Sequence, residues 1–122
     1  MSLLIKKILQ KIKEHENKTK IETLTISNLL QSGWQANGQN NIFKMNNIVF
    51  INLSLRSGTD TDVLTLPEGF RPSTNLMQLL VGNKGDTGHV SISTNGELKF
   101  EYITLPTTNS ETFMTSFTFP VN

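Results

Sequence analysis

Two histidines, His15 and His89, are the only imidazoles that the 122-residue chain offers for acid–base or metal chemistry. Neither lies in a serine-nucleophile, zinc-protease or phosphate-loop motif. Pairing His89 with one of the many serines or threonines carries no information, because such neighbours are abundant. The chain also has no cysteine, so it contains neither a thiol nucleophile nor a thiolate metal ligand. We therefore expect no enzymatic activity.

Acidic residues are the other group that could do chemistry. Paired carboxylates for glycoside hydrolysis could come from acids in predicted loops, where such residues are usually solvated turn formers: Asp60, Asp62, Glu68 and Asp86. Asp60-Thr61-Asp62 resembles part of a calcium loop but lacks the glycine and the distal glutamate of an EF-hand. The glycine-bearing loop 83–88 could hold an anion through its amides, although an ordinary strand connection is favoured. We predict no metal and no cofactor.

Trp34 is the only tryptophan, and it lies where the chain enters the predicted sheet. Its large apolar area favours a role as a plug between helix and β-body. A sharper hypothesis is that its ring stacks on a sugar while Arg71, Asp86 or His89 hydrogen-bonds the hydroxyls. These four residues form the candidate saccharide site. Tyr102 and Arg56 carry the same ambiguity.

The N-terminal segment precedes the predicted sheet and has the pattern of a helix. Ile5, Ile8 and Ile12 repeat at spacings of three and four residues, followed by His15, which predicts a helix from about Ser2 to Asn17. Isoleucine at both core positions of a heptad favours trimers. A helix this short needs a partner. Identical helices in a coiled stalk are favoured over packing on its own β-domain or on a membrane surface.

Charge and composition limit the classes of partner. Residues 1–20 carry six lysines against two glutamates, whereas the rest carries five basic against eight acidic side chains. The body therefore lacks the basic stripe of a nucleic-acid-binding protein. The lysines also interrupt the N-terminal apolar run, so we expect neither a signal peptide nor a membrane span. Ser, Thr and Asn make up nearly a third of the chain, which favours a soluble β-protein that completes its core by oligomerising.

From residue 21 the helical period gives way to short apolar runs between turn residues, which predicts a mainly β, antiparallel sandwich or jelly-roll-like head over residues 21–122, carried on a 1–20 stalk. A three-residue loop, Thr94-Asn95-Gly96, would pair Ile92 with Leu98 and give the hairpin one apolar face. Three phenylalanines in the last strand predict a central position for it. The predicted strands are 23–29, 42–45, 48–56, 76–82, 88–93, 97–103 and 113–119.

The stretch Leu64–Leu105 resembles the C-terminal modules of tail-fibre and baseplate receptor-binding proteins from phages of Gram-positive bacteria. The features shared are the turn Leu66-Pro67-Glu68-Gly69-Phe70-Arg71-Pro72, the apolar strand after it and the Thr94-Asn95-Gly96 hairpin. Similar patterns occur in other trimeric jelly rolls. The resemblance implies a homotrimeric head on a helical stalk that attaches to host surface saccharide or docks onto other tail proteins, in the tail of a virion.

Three hypotheses for the function follow. The leading one is a trimeric receptor-binding or fibre head that adheres to a host cell-wall saccharide, with Ile5, Ile8 and Ile12 joining the subunits. The second is a structural baseplate module that binds other virion proteins. The third, a cell-wall hydrolase, would require turnover of the same polymer, and the sequence has no motif for it.

Overall fold

The computed structural model describes residues 3–18, 20–105 and 111–121, and within the helix it describes side chains as far as Gln10. One α-helix, α1 (Leu3–Lys18), is followed by antiparallel strands. A 3-10 turn, Ile26–Asn28, lies between the first two. The strands are β1 (Ile21–Leu24), β2 (Gln35–Ala36), β3 (Asn41–Met45), β4 (Ile48–Arg56), β5 (Asp62–Thr65), β6 (Leu76–Gly82), β7 (Thr87–Ile92), β8 (Glu97–Glu101) and β9 (Phe113–Pro120).

The strands described form one sheet in the order β1-β3-β4-β9-β6-β7-β8-β5, with β2 added beside β4. β9 pairs with β4 along its whole length, but it meets β6 only through Val81 opposite Met114 and Gly82 opposite Phe113. The sheet therefore curls at this junction into two halves. Buried residues from both halves belong to a single hydrophobic cluster, so the halves enclose one core.

The core follows from the alternation of side chains along each strand. In β4, Val49, Ile51, Leu53 and Leu55 are buried, and they face the phenylalanines of β9. The central position predicted for the last strand is confirmed, because β9 lies between β4 and β6. One inward position of β9 is occupied by Thr115 and not by a phenylalanine. The Thr115 hydroxyl accepts a hydrogen bond from the side-chain amide of Gln78 at 2.7 Å.

The β7–β8 hairpin has the predicted register. Val90 lies opposite Phe100 and Ile92 opposite Leu98, with all four side chains fully buried. Residues 94–96 form the loop, and Gly96 has a left-handed φ of 89°. A Cβ on Gly96 would lie 2.5 Å from the Leu66 carbonyl oxygen. Glycine is therefore required there both by the backbone conformation and by the lack of space.

The antiparallel β fold with one N-terminal helix is confirmed, and β4 and β6 have the predicted bounds. The predicted strand 23–29 is wrong beyond Leu24, because the chain turns at Ile26–Asn28 to bury Ile26. The sequence interpretation missed β5 and treated Asp62 as a loop residue. In the structure β5 pairs with β8, with a bulge between Asp62 and Leu64. Among the described residues no helix has the length and apolar character needed to cross a membrane.

Candidate functional site

The outer face of β6, β7 and β8 carries exposed aliphatic and aromatic side chains. The register places Leu79 beside His89, and His89 beside Glu101, all on the side of the sheet that faces away from the core. Outward positions of a solvated antiparallel sheet are normally polar. Here the face begins with aliphatic side chains on β6 and becomes polar and aromatic toward β8.

The aliphatic part is the outer strip, which we define as Met77, Leu79, Val81 and Met114. Leu79 is 61% exposed, and the other three are exposed to a comparable degree. Val81 and Met114 are neighbours across the β6–β9 junction, so the strip is continuous. Contiguous apolar surface of this kind marks an interaction site more often than isolated exposed residues do. The strip contains no charged side chain.

Tyr102 lies immediately after β8 and is 76% exposed. Its backbone is left-handed, with φ of 62°, a conformation that residues other than glycine and asparagine seldom adopt. Its ring stands almost perpendicular to the His89 ring, at an interplanar angle of 88° and a centroid separation of 5.1 Å. The imidazole therefore contacts the phenol ring edge-to-face and leaves most of it open to solvent.

Gly88 explains how the chain reaches this conformation. A Cβ on Gly88 would lie 2.6 Å from the Glu101 carbonyl oxygen and 2.5 Å from Cγ2 of Ile103. The segment after β8 therefore lies directly against the β7 backbone. Ile103 packs partly buried against the core, and the left-handed residue before it points outward. The exposed tyrosine is thus a consequence of a tight crossing that Gly88 permits.

Trp34 is a core residue, and the hypothesis that it stacks on a sugar is wrong. It is only 4% exposed, and its ring meets the Phe100 ring edge-to-face at 4.9 Å. The indole Nε1 donates a hydrogen bond to the Asp60 carbonyl oxygen at 3.0 Å. A Cβ on Gly58 would lie 1.9 Å from the indole, so Gly58 covers the ring closely. The alternative interpretation, an apolar plug, agrees with this burial.

The other residues of the candidate saccharide site do not converge. Asp86 lies in the turn between β6 and β7, whereas Arg71 donates through Nε to the Leu66 carbonyl at 2.9 Å, beside the β7–β8 turn. These turns are at opposite ends of the six-residue β7, which spans roughly 20 Å. His89 is the one member on the outer face described above. A single sugar ring cannot contact all of these residues.

The β6–β7 turn is fastened to the segment that leads into β9. The Asn83 amide donates to the Thr112 carbonyl, and the Thr112 amide donates to Oδ1 of Asn83, each at 2.9 Å. Oε1 of Glu111 accepts a hydrogen bond from the Asp86 amide at 3.2 Å. Burial raises the pKa of Glu111, and the neighbouring Asp86 carboxylate raises it further. Sequence reasoning did not identify this carboxyl pair, because its members are 25 residues apart.

A second region that could hold a sugar is the cleft between residues 38–39 and the outer side of β4 and β9. Its polar groups are already bonded to one another. Asn52 Nδ2 donates to Asn41 at 3.0 Å, Ser116 Oγ donates to Asn52 at 2.7 Å, and Ser54 Oγ donates to the Asn37 carbonyl at 2.6 Å. The cleft therefore looks like a structural polar network, and no aromatic side chain lines it.

The apolar side of the helix is also exposed. Ile5 and Ile8 are each about half exposed, as is Leu9, while Leu3 and Leu4 are more exposed still. The β-body therefore does not bury this side of α1, and the less favoured alternative, that the helix packs on its own domain, finds no support in the described side chains. The side chains of Ile12 and His15, which the same stripe includes, lie outside the described residues.

Comparison with known proteins gives a result at the level of structure. No protein-family model matches the sequence, and no curated protein sequence matches it. The fold is similar to the crystal structure of the receptor-binding protein gp15 of Listeria phage PSA, with a TM-score of 0.74 and 13% sequence identity. The match covers 98% of this chain and 76% of that one. The resemblance suggested by the 64–105 stretch is therefore confirmed for the fold, which this chain shares with a receptor-binding protein of a phage of Gram-positive bacteria.

Proposed function

We propose that this chain is the receptor-binding head of a phage tail, which assembles as a homotrimer and attaches to a saccharide of the host cell surface without turning it over. In this proposal residues 1–20 form the stalk, residues 21–122 form the head, and the protein is located in the virion. The observation that carries the proposal is the fold shared with gp15 over 98% of the chain.

The exposed apolar side of α1 supports assembly through the helix. A 16-residue helix is marginal in water unless its apolar side packs against another surface. The described apolar side chains of α1 are half exposed or more, and identical helices are the simplest surface that could cover them. Isoleucine at the core positions of two heptads fits a three-stranded coiled coil, and these positions are Ile5, Ile8 and Ile12. Trimerisation would also let weak sugar contacts act together on one surface.

Light scattering on the full chain and on a chain that starts at Lys20 tests the assembly. The full chain should have three times the 13.7 kDa of one subunit, and the shorter chain should dissociate at a higher concentration. A monomer whose mass is unchanged by the truncation would rule out the trimer and the stalk.

Adhesion tests the receptor. The full chain should sediment with cell walls purified from a susceptible Gram-positive bacterium, and soluble polysaccharide from the same walls should compete. Bovine serum albumin serves as the control for unspecific sedimentation. Absence of adhesion to walls of a panel of Gram-positive hosts would contradict saccharide attachment, whatever the oligomeric state.

The second candidate is a structural tail module that binds other virion proteins. The outer strip favours it, because an exposed aliphatic surface suits another protein better than a hydroxyl-rich sugar. This candidate predicts no adhesion to walls and co-purification with tail proteins when both are expressed together. The two candidates thus differ in the adhesion experiment.

A further inference from the structure

We propose that Tyr102 and His89 form the platform on which this head binds a single neutral hexopyranose ring. The inference rests on the proposed function and assigns that function a site. It concerns residues on the outer face of β7 and β8, away from the buried Trp34.

The tight crossing at Gly88 accounts for the left-handed backbone at residue 102, but it does not account for a tyrosine at that position. A left-handed backbone position is best filled by glycine or asparagine, and a tyrosine there is strained. With 76% of its surface exposed, the ring recovers little from burial. Strain of this kind at an exposed side chain is a feature of ligand-binding positions, where the side chain acts outside the folded domain.

The ring is also supported on one side. His89 lies on β7, between Leu79 on β6 and Glu101 on β8, so the sheet register sets where its side chain leaves the outer face. The imidazole makes a perpendicular contact with the phenol ring of Tyr102. An aromatic ring that has such a neighbour and is otherwise open to solvent can accept the C–H face of a pyranose.

The surrounding charges select the class of sugar. Glu101 is half-buried next to His89, and its carboxylate and the imidazole can together bond sugar hydroxyls. Glu97, Lys99 and Glu101 point to the same side along β8 and carry a net negative charge. This disfavours a phosphate or carboxylate group at the site. The charges therefore favour a neutral sugar, such as a hexopyranose, over a phosphorylated or acidic one.

The experiment uses the full chain and three variants at the platform. Tyr102→Ala and His89→Ala remove the ring and its support, and Tyr102→Phe keeps the stacking surface. Met45→Ala is the matched control, because Met45 is an exposed side chain on β3, in the other half of the sheet. If Tyr102→Ala folds poorly, Tyr102→Gly replaces it, since glycine suits the backbone at this position.

Two measurements are made on each protein. The first is adhesion to purified Gram-positive cell walls. The second is NMR titration of the ¹⁵N-labelled chain with the methyl glycosides of glucose, galactose and N-acetylglucosamine. Tyr102→Ala should lower the apparent affinity for walls about tenfold or more, the scale of one lost aromatic contact. Tyr102→Phe and Met45→Ala should stay within about threefold of the parent. At least one glycoside should shift the amide signals of Tyr102 and His89 saturably.

The outcomes separate the site from the function. A parent that binds walls together with a folded Tyr102→Ala variant that binds equally well would overturn this site and leave the proposed function intact. A parent that binds no wall would overturn both. A change in oligomeric mass in the Tyr102 variants would also overturn the site, because it would place Tyr102 in a subunit interface.

Discussion

At the scale of single residues, two positions depart from the usual preferences of their residue types. Tyr102 occupies a backbone conformation that suits glycine, and Glu111 places a carboxyl group against Asp86 at low exposure. Both departures are visible only in three dimensions, because each depends on a neighbour from another strand. Residues that violate local rules in this way are where function is expected.

The backbone strain at Tyr102 predicts that the variant Tyr102→Gly is more stable than Tyr102→Ala. Both Tyr102→Ala and Tyr102→Gly remove the ring, but only glycine relieves the left-handed backbone. Strain of about 1–2 kcal/mol exceeds the extra entropy of glycine in the unfolded chain, about 0.4–1 kcal/mol. The glycine variant should therefore be the more stable, by about 0.5–1 kcal/mol, in urea denaturation. An alanine variant of equal or greater stability would show that φ at residue 102 is not left-handed.

Glu111 predicts a pH dependence of stability. Its pKa is raised in the folded protein by burial and by Asp86, so the native state holds a proton more tightly than the unfolded chain. Its contribution to stability is fully present below the unfolded pKa and is lost as pH rises through the folded value. The variant Glu111→Gln has no carboxyl group at this position, so it does not lose this stability as pH rises. Its side-chain oxygen can still accept the hydrogen bond from the Asp86 amide.

Urea denaturation of both proteins at pH 4 and pH 7 checks this expectation. The Gln variant should gain stability relative to the parent on going from pH 4 to pH 7. Glu68→Gln is the control, since Glu68 is exposed in a turn. A parent and a Glu111→Gln variant with parallel pH profiles would contradict the raised pKa.

The candidate site shows where sequence reasoning ends. His89 was identified from its chemistry alone, and it does lie on the outer face. The sequence leaves Trp34 open to sugar stacking, because burial cannot be determined from one residue and its neighbours. The sequence does not single out Tyr102, because nothing near it in the chain indicates a left-handed backbone after β8. Its conformation depends on the close approach of the chain to Gly88, which is 14 residues earlier.

At the scale of elements, the register of the β7–β8 hairpin was predictable. Of a two-residue and a three-residue loop, only the three-residue loop places the apolar side chains on one face, and the structure has that register. The predicted strand 97–103 is wrong beyond Glu101, because the backbone turns left-handed at Tyr102. The short strands β2 and β5 were not predicted. The two residues of β2 give no period to detect, and Asp60 and Asp62, before and at the start of β5, indicate a loop. Their pairing is decided by strands distant in sequence.

Two turn glycines with positive φ should differ in how much stability is lost when each is replaced by alanine: Gly96 in the β7–β8 turn and Gly85 in the β6–β7 turn. Gly96→Ala should lower the free energy of unfolding by about 2–3 kcal/mol, since it adds the left-handed strain to a clash with the Leu66 carbonyl. Gly85 also has a positive φ, but a Cβ there meets nothing within 4 Å. Gly85→Ala should therefore cost about 1 kcal/mol. Urea denaturation compares the two, and equal losses would show that strain alone decides the effect.

The helix predicts a selective effect on assembly. Replacing Ile5 and Ile8 together by lysine should weaken association at least tenfold, because charged side chains would replace the apolar contacts between helices. Lys6→Ala with Lys7→Ala is the control on the same turns. Analytical ultracentrifugation measures association, and near-UV circular dichroism checks that the head stays folded. A double lysine variant that associates like the parent would exclude these isoleucines from the interface.

At the scale of the whole molecule, the decisive feature is that β9 joins the two halves of the sheet. The phenylalanines of β9 predict that this strand is central. The sequence does not predict the order of the strands around it. Order depends on contacts between segments far apart in the chain: β4 meets β9 across about sixty residues. No local period carries that information.

This topology predicts that the last strand cannot be removed. A chain ending at Thr112 should fail to fold, because the inner side chains of β4 and β6 would lose their shared neighbour. A chain starting at Lys20 should keep the near-UV circular dichroism and cooperative melting of the head. A cooperatively melting chain without β9 would show that one half of the sheet is stable alone.

The two ends of the sheet bear on how these heads behave when many are crowded together. β1 and β5 are four residues each, β1 carries Glu22, and β5 begins with Asp62 at a bulge. Val63 also accepts a hydrogen bond from the Gln31 amide, which caps part of the β5 edge. Short, charged, irregular edges resist the strand-to-strand polymerisation that leads to aggregates. In the phage tail proposed above, neighbouring trimeric heads would therefore resist joining edge to edge when they are crowded together.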